Sequence, residues 1–185
     1  MTRLLFAMTL AAGATIVFGA DAPQASMGKV LDSQLRSADR EIVSLAEAMP
    51  AEKYNFRPSD GEFKNVRTFS LQMTHIAAIL YEVSAAALGE KNPSETGKDE
   101  NGPASIDGKT AAVKYLKDAF AYAHKAALAV TSANAMDMLP SPFGSGKMSR
   151  IDLVTTLMWH SYDHYGQAVV YARMNGVVPP ASRGQ

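Results

Sequence analysis

Hydrophobic residues recur every three or four positions along most of the chain, which is the pattern of amphipathic helices. Stretches rich in Pro, Gly, Asp and Ser separate four such segments, and no stretch alternates as a half-buried strand does. We therefore expect an all-α protein, a four-helix bundle in one domain over residues 26–180. The predicted helices cover residues 27–49, 66–88, 109–131 and 150–175.

Polar residues that can cap helices precede the segments, and we expect the caps at Ser26, Asn65, Asp107 and Ser149. Asp152, three residues after Ser149, makes that last cap a variant of the capping box. The second helix carries two adjacent apolar stripes and is expected to pack on two sides. Its predicted solvent-facing side consists of Ser70, Thr74, Tyr81 and Ser84.

The segment between the second and third helices, residues 90–107, is polar and contains Pro and Gly. We interpret it as a long exposed loop. Eighteen extended residues reach about 60 Å, whereas a helix of this size is about 30 Å long. The loop can therefore cross the length of the bundle, and up-down-up-down order is not required.

The first 20 residues have the features of an export signal peptide. Arg3 is followed by an uncharged apolar run to Phe18 and then by small residues, with cleavage expected somewhere near residues 20–25. An uncleaved membrane anchor is the alternative, but the run is shorter than the roughly 20 residues that span a bilayer. We expect an exported protein, periplasmic or secreted, with no stable membrane span once the signal is removed.

Composition and charge exclude several kinds of site and one class of partner. The chain has no Cys and four His, and its 18 basic residues balance 18 acidic ones. The absence of Cys excludes disulfides, thiolate metal sites and a Cys nucleophile. A neutral chain lacks the excess of Lys and Arg that a broad nucleic-acid surface needs, so we expect no nucleic-acid partner.

Three of the four histidines can share one site. His160 and His164 lie four residues apart, on one face of the fourth helix, and His75 lies mid-way along the second. Three neutral imidazoles would hold a metal ion and leave a coordination position open. A hydrogen-bonded pair of core histidines is the alternative. His124 is expected to be exposed and unrelated, and Trp159 to be a packing anchor.

The sequence around these histidines resembles that of the DinB/YfiT-like superfamily, and the resemblance covers about residues 27–180. The His-x-x-x-His-x-Gly-Gln run that starts at His160 is the most specific part, and Tyr165 stands where many relatives carry Arg. The other similar stretches are residues 56–63, 71–76, 141–150 and 170–180. The resemblance implies a four-helix bundle in which His75, His160 and His164 hold a divalent ion, with zinc, nickel or iron as the expected metals. It also implies that a homodimer is possible.

Three polar residues near the histidines are candidates for catalysis or binding. Glu82 is a candidate general base, with a partly exposed helix end as the alternative; Asp163 can orient an imidazole or form a surface ion pair. Gln167 can bind substrate or simply pack. We expect an exported metal-dependent hydrolase or transferase of an unidentified small molecule. The alternative is a non-catalytic, metal-stabilised binding or stress-response module.

Overall fold

The computed structural model describes residues 26–184, so the expected signal peptide and its cleavage region lie outside the described residues. Four helices form a bundle: α1 (Met27–Ala48), α2 (Phe69–Leu88), α3 (Gly108–Leu128) and α4 (Arg150–Met174). Short 3-10 turns lie at Ala51–Lys53, Lys98–Glu100 and Pro180–Ser182. The mostly helical architecture that the periodicity predicts is confirmed.

Each helix packs closely against two others. α3 contacts α1 and α2, and α4 contacts α2 and α1, so α1 lies across the bundle from α2. Lys109 at the start of α3 donates to the carbonyl of Glu47 at the end of α1, which makes these helices antiparallel. Arg150 at the start of α4 donates to the carbonyl of Ala87 at the end of α2, so that pair is also antiparallel.

The helices α2 and α3, in contrast, run parallel. Lys125 near the end of α3 contacts Glu90 just beyond the end of α2. The order is therefore up-down-down-up, and the segment between α2 and α3 must return along the bundle before α3 can begin. The residues between Leu88 and Gly108 make this connection.

The core consists of side chains on the apolar stripes of all four helices. Its largest fully buried members are Tyr54, Phe69, Phe120, Leu35, Ile42, Leu45, Met49, Met73, Ile76, Ile79, Leu80 and Leu116. Burial of each large aliphatic or aromatic side chain stabilises the fold by about 1.5–3 kcal/mol. The cap predicted at Ser26 is present, and Ser149 forms the predicted capping box with Asp152.

The start of α2 and its exposed side differ from expectation. Thr68, whose hydroxyl accepts from the amide of Leu71, caps the helix. Asn65 has a φ of 65° and lies in the loop before it. Thr74 and Ser84, expected on the solvent side, are buried because α2 packs against both α3 and α4.

A small hairpin precedes α4, where no strand was expected. Strand β1 (Met138–Pro140) pairs antiparallel with β2 (Lys147–Ser149), and Met138 lies opposite Ser149. Each strand has three residues, which is too short to show an alternating pattern. The hairpin ends at Ser149, which is also the cap of α4, so it fixes where that helix begins.

Two further single-residue expectations were wrong. His124 is not exposed: its side chain is 17% accessible, with Nδ1 2.7 Å from Oδ1 of Asp32 and Nε2 3.4 Å from Oδ2 of Asp39. It therefore joins α3 to α1. Trp159 is not a packing anchor, because it is 60% exposed on the outer side of α4.

One helix in the described part of the chain, α2, is long and apolar enough to cross a membrane, judged by length and composition alone. Most of its apolar surface is buried in the bundle. A helix surrounded by neighbours on two sides reaches this hydropathy as part of a core.

Candidate metal centre

Three imidazoles meet where the first half of α2 packs against the middle of α4. The ring centroids of His75, His160 and His164 lie 4.5–5.0 Å apart. Each ring offers one nitrogen, and these three nitrogens all lie within 4.8 Å of one another. His75 and His164 are buried and His160 is half-buried. The structure thus brings together the three histidines that the sequence pattern selects.

Hydrogen bonds outside the cluster determine which nitrogen is free in two of the rings, those of His75 and His164. Nδ1 of His75 lies 2.8 Å from the carbonyl oxygen of Glu100, and Nδ1 of His164 lies 2.6 Å from Oε1 of Gln72. Both oxygens only accept, so each Nδ1 carries the proton. The lone pair of each ring is then on Nε2, which is the tautomer that ligating histidines adopt with such partners.

One pair of ring nitrogens has the spacing that a shared ion needs. Nε2 of His75 lies 3.2 Å from Nε2 of His160. Two imidazoles that bind a tetrahedral ion at about 2.1 Å place their nitrogens about 3.4 Å apart. The donor set, neutral nitrogen only, suits zinc, nickel and iron. The residues present therefore fit a divalent metal.

The three imidazoles are neutral at ordinary pH. Burial, and to a lesser extent the charges of the neighbouring histidines, lowers the pKa of His160 to about 3 and the pKa of His164 to about 4. Burial also lowers the pKa of His75. A metal ion would therefore find the ligands already deprotonated, with no proton to displace.

The sequence analysis missed Gln72, which is 2% exposed and connects the two helices. It accepts from His164, and its Nε2 donates to Oε1 of Gln167 at 3.0 Å. Gln167 in turn donates to Oδ2 of Asp163 at 3.3 Å. Gln72 lies three residues before His75, on the same face of α2, and this spacing was the available signal.

The main chain of the α2–α3 segment is a second missed contributor. Asp99 and Glu100 have φ values of 54° and 59°, in the left-handed region, which costs about 1–2 kcal/mol for each residue. This conformation directs the carbonyl of Glu100 to His75. A backbone oxygen leaves no trace in residue type, so no sequence pattern could have revealed it.

The candidate catalytic residues occupy different places. Asp163 is 64% exposed, and its Oδ2 lies 4.0 Å from Nε2 of His164. Gln167 lines a cleft beside the cluster. Glu82 lies two turns further along α2, in a separate depression with Ser141, where burial raises its pKa. The structure therefore brings Asp163 and Gln167 to the histidines but not Glu82.

A cleft of about 570 Å³ opens beside the cluster. Its lining is mostly polar: His164, Gln167, Gln72, Arg57, Arg67, Asn65, Asn101, Asp99, Val66 and Leu71. A depression of about 630 Å³ lies between α1 and α3, but none of the three clustered histidines lines it. Of the three clustered histidines, His164 lines the polar cleft, so a small molecule bound there can meet its ring.

A helical bundle with a buried three-histidine cluster defines the structural class, and comparison with known proteins identifies the family. Residues 34–168 match the model of the DinB superfamily, so this chain is a member of that superfamily. The resemblance seen in the sequence is confirmed. Among curated proteins, no relative matches this chain.

Three solved structures share the fold. A conserved protein from Enterococcus faecalis has a TM-score of 0.64 at 15% identity, over 81% of this chain and 97% of that one. A DinB-like protein from Bacillus cereus has a TM-score of 0.58 at 19% identity, covering 80% and 95%. A DinB-like protein from Bacillus subtilis has a TM-score of 0.56 at 18% identity, covering 80% and 92%. At these identities the similarity establishes the fold alone.

Proposed function

We propose that His75, His160 and His164 bind one divalent metal ion through their Nε2 atoms. The observation that carries this proposal is the distance of 3.2 Å between Nε2 of His75 and Nε2 of His160. Hydrogen bonds hold the Nδ1 atoms of His75 and His164 on the outer side. Zinc, nickel and iron are the metals that this all-imidazole set favours.

The function we propose is metal-dependent hydrolysis or group transfer on a small molecule that binds in the adjacent cleft. An ion with three protein ligands keeps a position for water or substrate, and there it lowers the pKa of the water or polarises the substrate. Gln167 presents its amide to the cleft and can hydrogen-bond a substrate. Asp163, at the edge of the cluster, can accept a proton from a group held near Nε2 of His164.

A non-catalytic, metal-stabilised binding or stress-response module is the second candidate. The ligands come from two different helices, α2 and α4, so a bound ion would join them and stabilise the bundle whether or not any reaction occurs. In this case removal of the metal lowers the melting temperature, while a broad screen of hydrolase and transferase substrates gives no turnover.

Metal content tests the proposal directly. The protein is purified without a histidine tag, reconstituted with Zn²⁺, Ni²⁺ or Fe²⁺, desalted and analysed by mass spectrometry of metals. We expect about one ion per chain in the wild type and in His124→Gln, which lies outside the cluster, and almost none in His160→Ala. The proposal is overturned if reconstitution leaves the metal sub-stoichiometric and His160→Ala retains as much as the wild type.

We also propose that the protein is exported. The support is the pattern of the first 20 residues, in which Arg3 precedes an uncharged apolar run to Phe18 and small residues follow. Expression of the full chain in a bacterial host should give a periplasmic product whose mass corresponds to removal of 20–25 residues. A cytosolic product that retains its N-terminus would show the proposal to be wrong.

A further inference from the structure

Arg67 lies immediately before the cap of α2 and is held rigidly by two neutral acceptors. Its Nε donates to Oδ1 of Asn101 at 2.7 Å, and its Nη2 donates to the carbonyl of Asp99 at 2.8 Å. Both acceptors belong to the α2–α3 segment. Among residues 26–184, no carboxylate oxygen lies within 4.0 Å of this guanidinium. The protein therefore orients the positive charge without neutralising it.

The same guanidinium shares a cleft with one member of the histidine cluster. Arg67 and His164 line one cleft. A fixed cation in the cleft that His164 lines repels a metal ion bound by that histidine, and an anion held between the two charges offsets this repulsion.

The donors on Arg67 are sufficient for such an anion. A guanidinium has five N–H groups, and two of them are used on Asn101 and Asp99, which leaves three. Arg57 adds a second, more exposed guanidinium to the cleft lining, and Gln167 adds an amide. Asp99 supplies the one carboxylate in this lining, so the two arginines give the cleft an excess of positive charge.

We propose that the cleft binds a small molecule with an oxyanion group, a carboxylate or a phosphate, and that Arg67 is the residue that recognises this group. The planar guanidinium can donate two parallel hydrogen bonds to either kind of oxyanion. Another atom of the same molecule then reaches the open position of the metal. The inference rests on the proposed metal-dependent function and assigns its substrate class.

Titration with simple probes tests this assignment without an activity assay. Acetate and inorganic phosphate are the anions, and acetamide is the neutral analogue of acetate; binding is followed by NMR shifts of backbone amides in zinc-loaded and metal-free protein. We expect both anions, but not acetamide, to bind at the cleft. The preference between acetate and phosphate identifies the kind of oxyanion.

Variants assign the binding to Arg67. Arg67→Gln should weaken anion binding to the metal-free protein about 10-fold or more, the loss expected for charge-assisted hydrogen bonds. Arg67→Lys should retain part of the affinity. Arg40→Gln, which removes an exposed arginine from α1, is the matched control and should bind as the wild type does.

The outcomes that overturn the inference are specific. Equal anion affinity in Arg67→Gln and Arg40→Gln would overturn it, and so would binding of acetamide as tight as that of acetate. If Arg67→Gln does not fold, Arg67→Lys and the comparison of acetate with acetamide on the wild type decide the matter. A failure of metal binding would show separately in the metal content, because the anion titration is also made on metal-free protein.

Discussion

The imidazole rings of His75 and His164 are oriented by neutral acceptors, a carbonyl in one case and an amide in the other. Gln72 is the more informative of the two because its side chain can be changed without altering the main chain. Partners of this kind fix the ring and its tautomer, and loss of one typically weakens metal binding 10- to 100-fold.

Replacement of Gln72 should therefore weaken metal binding while the fold persists. In Gln72→Met, a side chain of similar length fills the buried space but no longer accepts the proton of His164 Nδ1. We expect the Kd for Zn²⁺ to rise about 10- to 100-fold, measured by competition with a chromophoric chelator. Gln34→Met, at an exposed position of α1, is the control. An unchanged Kd in Gln72→Met would show that the amide does not orient the ring.

The lowered pKa values of the histidines predict how the metal-free protein responds to acid. In the unfolded chain a histidine titrates near about 6.5, whereas in the fold the pKa is about 3 for His160 and about 4 for His164. As the pH falls through 6.5, the unfolded state takes up protons first. The contribution of these neutral histidines to the free energy of unfolding is therefore fully present above about pH 6.5 and is lost progressively towards pH 4.

Urea unfolding of the metal-free protein at pH 7.5, 6 and 5 measures this effect. We expect the midpoint to fall at each step, and to fall less in His160→Gln because one titrating group has been removed. Equal pH dependence in the wild type and the variant would mean that His160 does not contribute.

Among the elements, α1 and α4 follow closely from sequence, since one cap precedes each helix and one apolar stripe runs along it. The start of α2 could not be predicted from the sequence, because Asn65 and Thr68 are both good caps and only the backbone conformation shows which of them caps the helix. The hydroxyls of Thr74 and Ser84 were predicted to face solvent but are buried, because the sequence does not show which helices cover them. Polar residue type indicates solvent only where no neighbouring helix covers it.

Close packing of α1 on α3 gives a prediction about two glycines in helices. A methyl group on Gly28 would lie 2.7 Å from the carbonyl oxygen of Leu128 and 2.9 Å from that of Val130, whereas one on Gly166 of α4 would meet nothing within 4 Å. Alanine is favoured over glycine in a helix by about 1 kcal/mol. We expect Gly166→Ala to stabilise the protein by about 0.5–1 kcal/mol and Gly28→Ala to destabilise it.

The free energy of unfolding in urea measures both changes, and each variant serves as the control for the other. Helix propensity alone would make both substitutions stabilising. Stabilisation by Gly28→Ala would show that α1 and α3 do not approach as closely as the structure has them.

At the scale of the whole molecule, the up-down-down-up order connects the fold to the site. Because α2 and α3 are parallel, the chain between them must return along the bundle, and on this path it delivers the carbonyl of Glu100 to His75 and the amide of Asn101 to Arg67. The histidine cluster could be predicted because helical spacing places side chains on a face. The contribution of this segment could not, because it depends on topology and on a backbone atom.

A bound ion should therefore stabilise more than the two helices that supply its ligands. A ligand at 100 times its Kd stabilises the folded state by about 2.7 kcal/mol, and for a chain of this size each kcal/mol raises Tm by about 2–4 °C. We expect zinc at that level to raise the Tm of the wild type by about 5–11 °C and to leave His160→Ala unchanged. Hydrogen exchange should slow at residues 98–102, whose carbonyl holds His75, but not at the hairpin of residues 138–149. If zinc raised Tm without protecting residues 98–102, the segment would not be coupled to the site, and its strained backbone at Asp99 and Glu100 would need another cause.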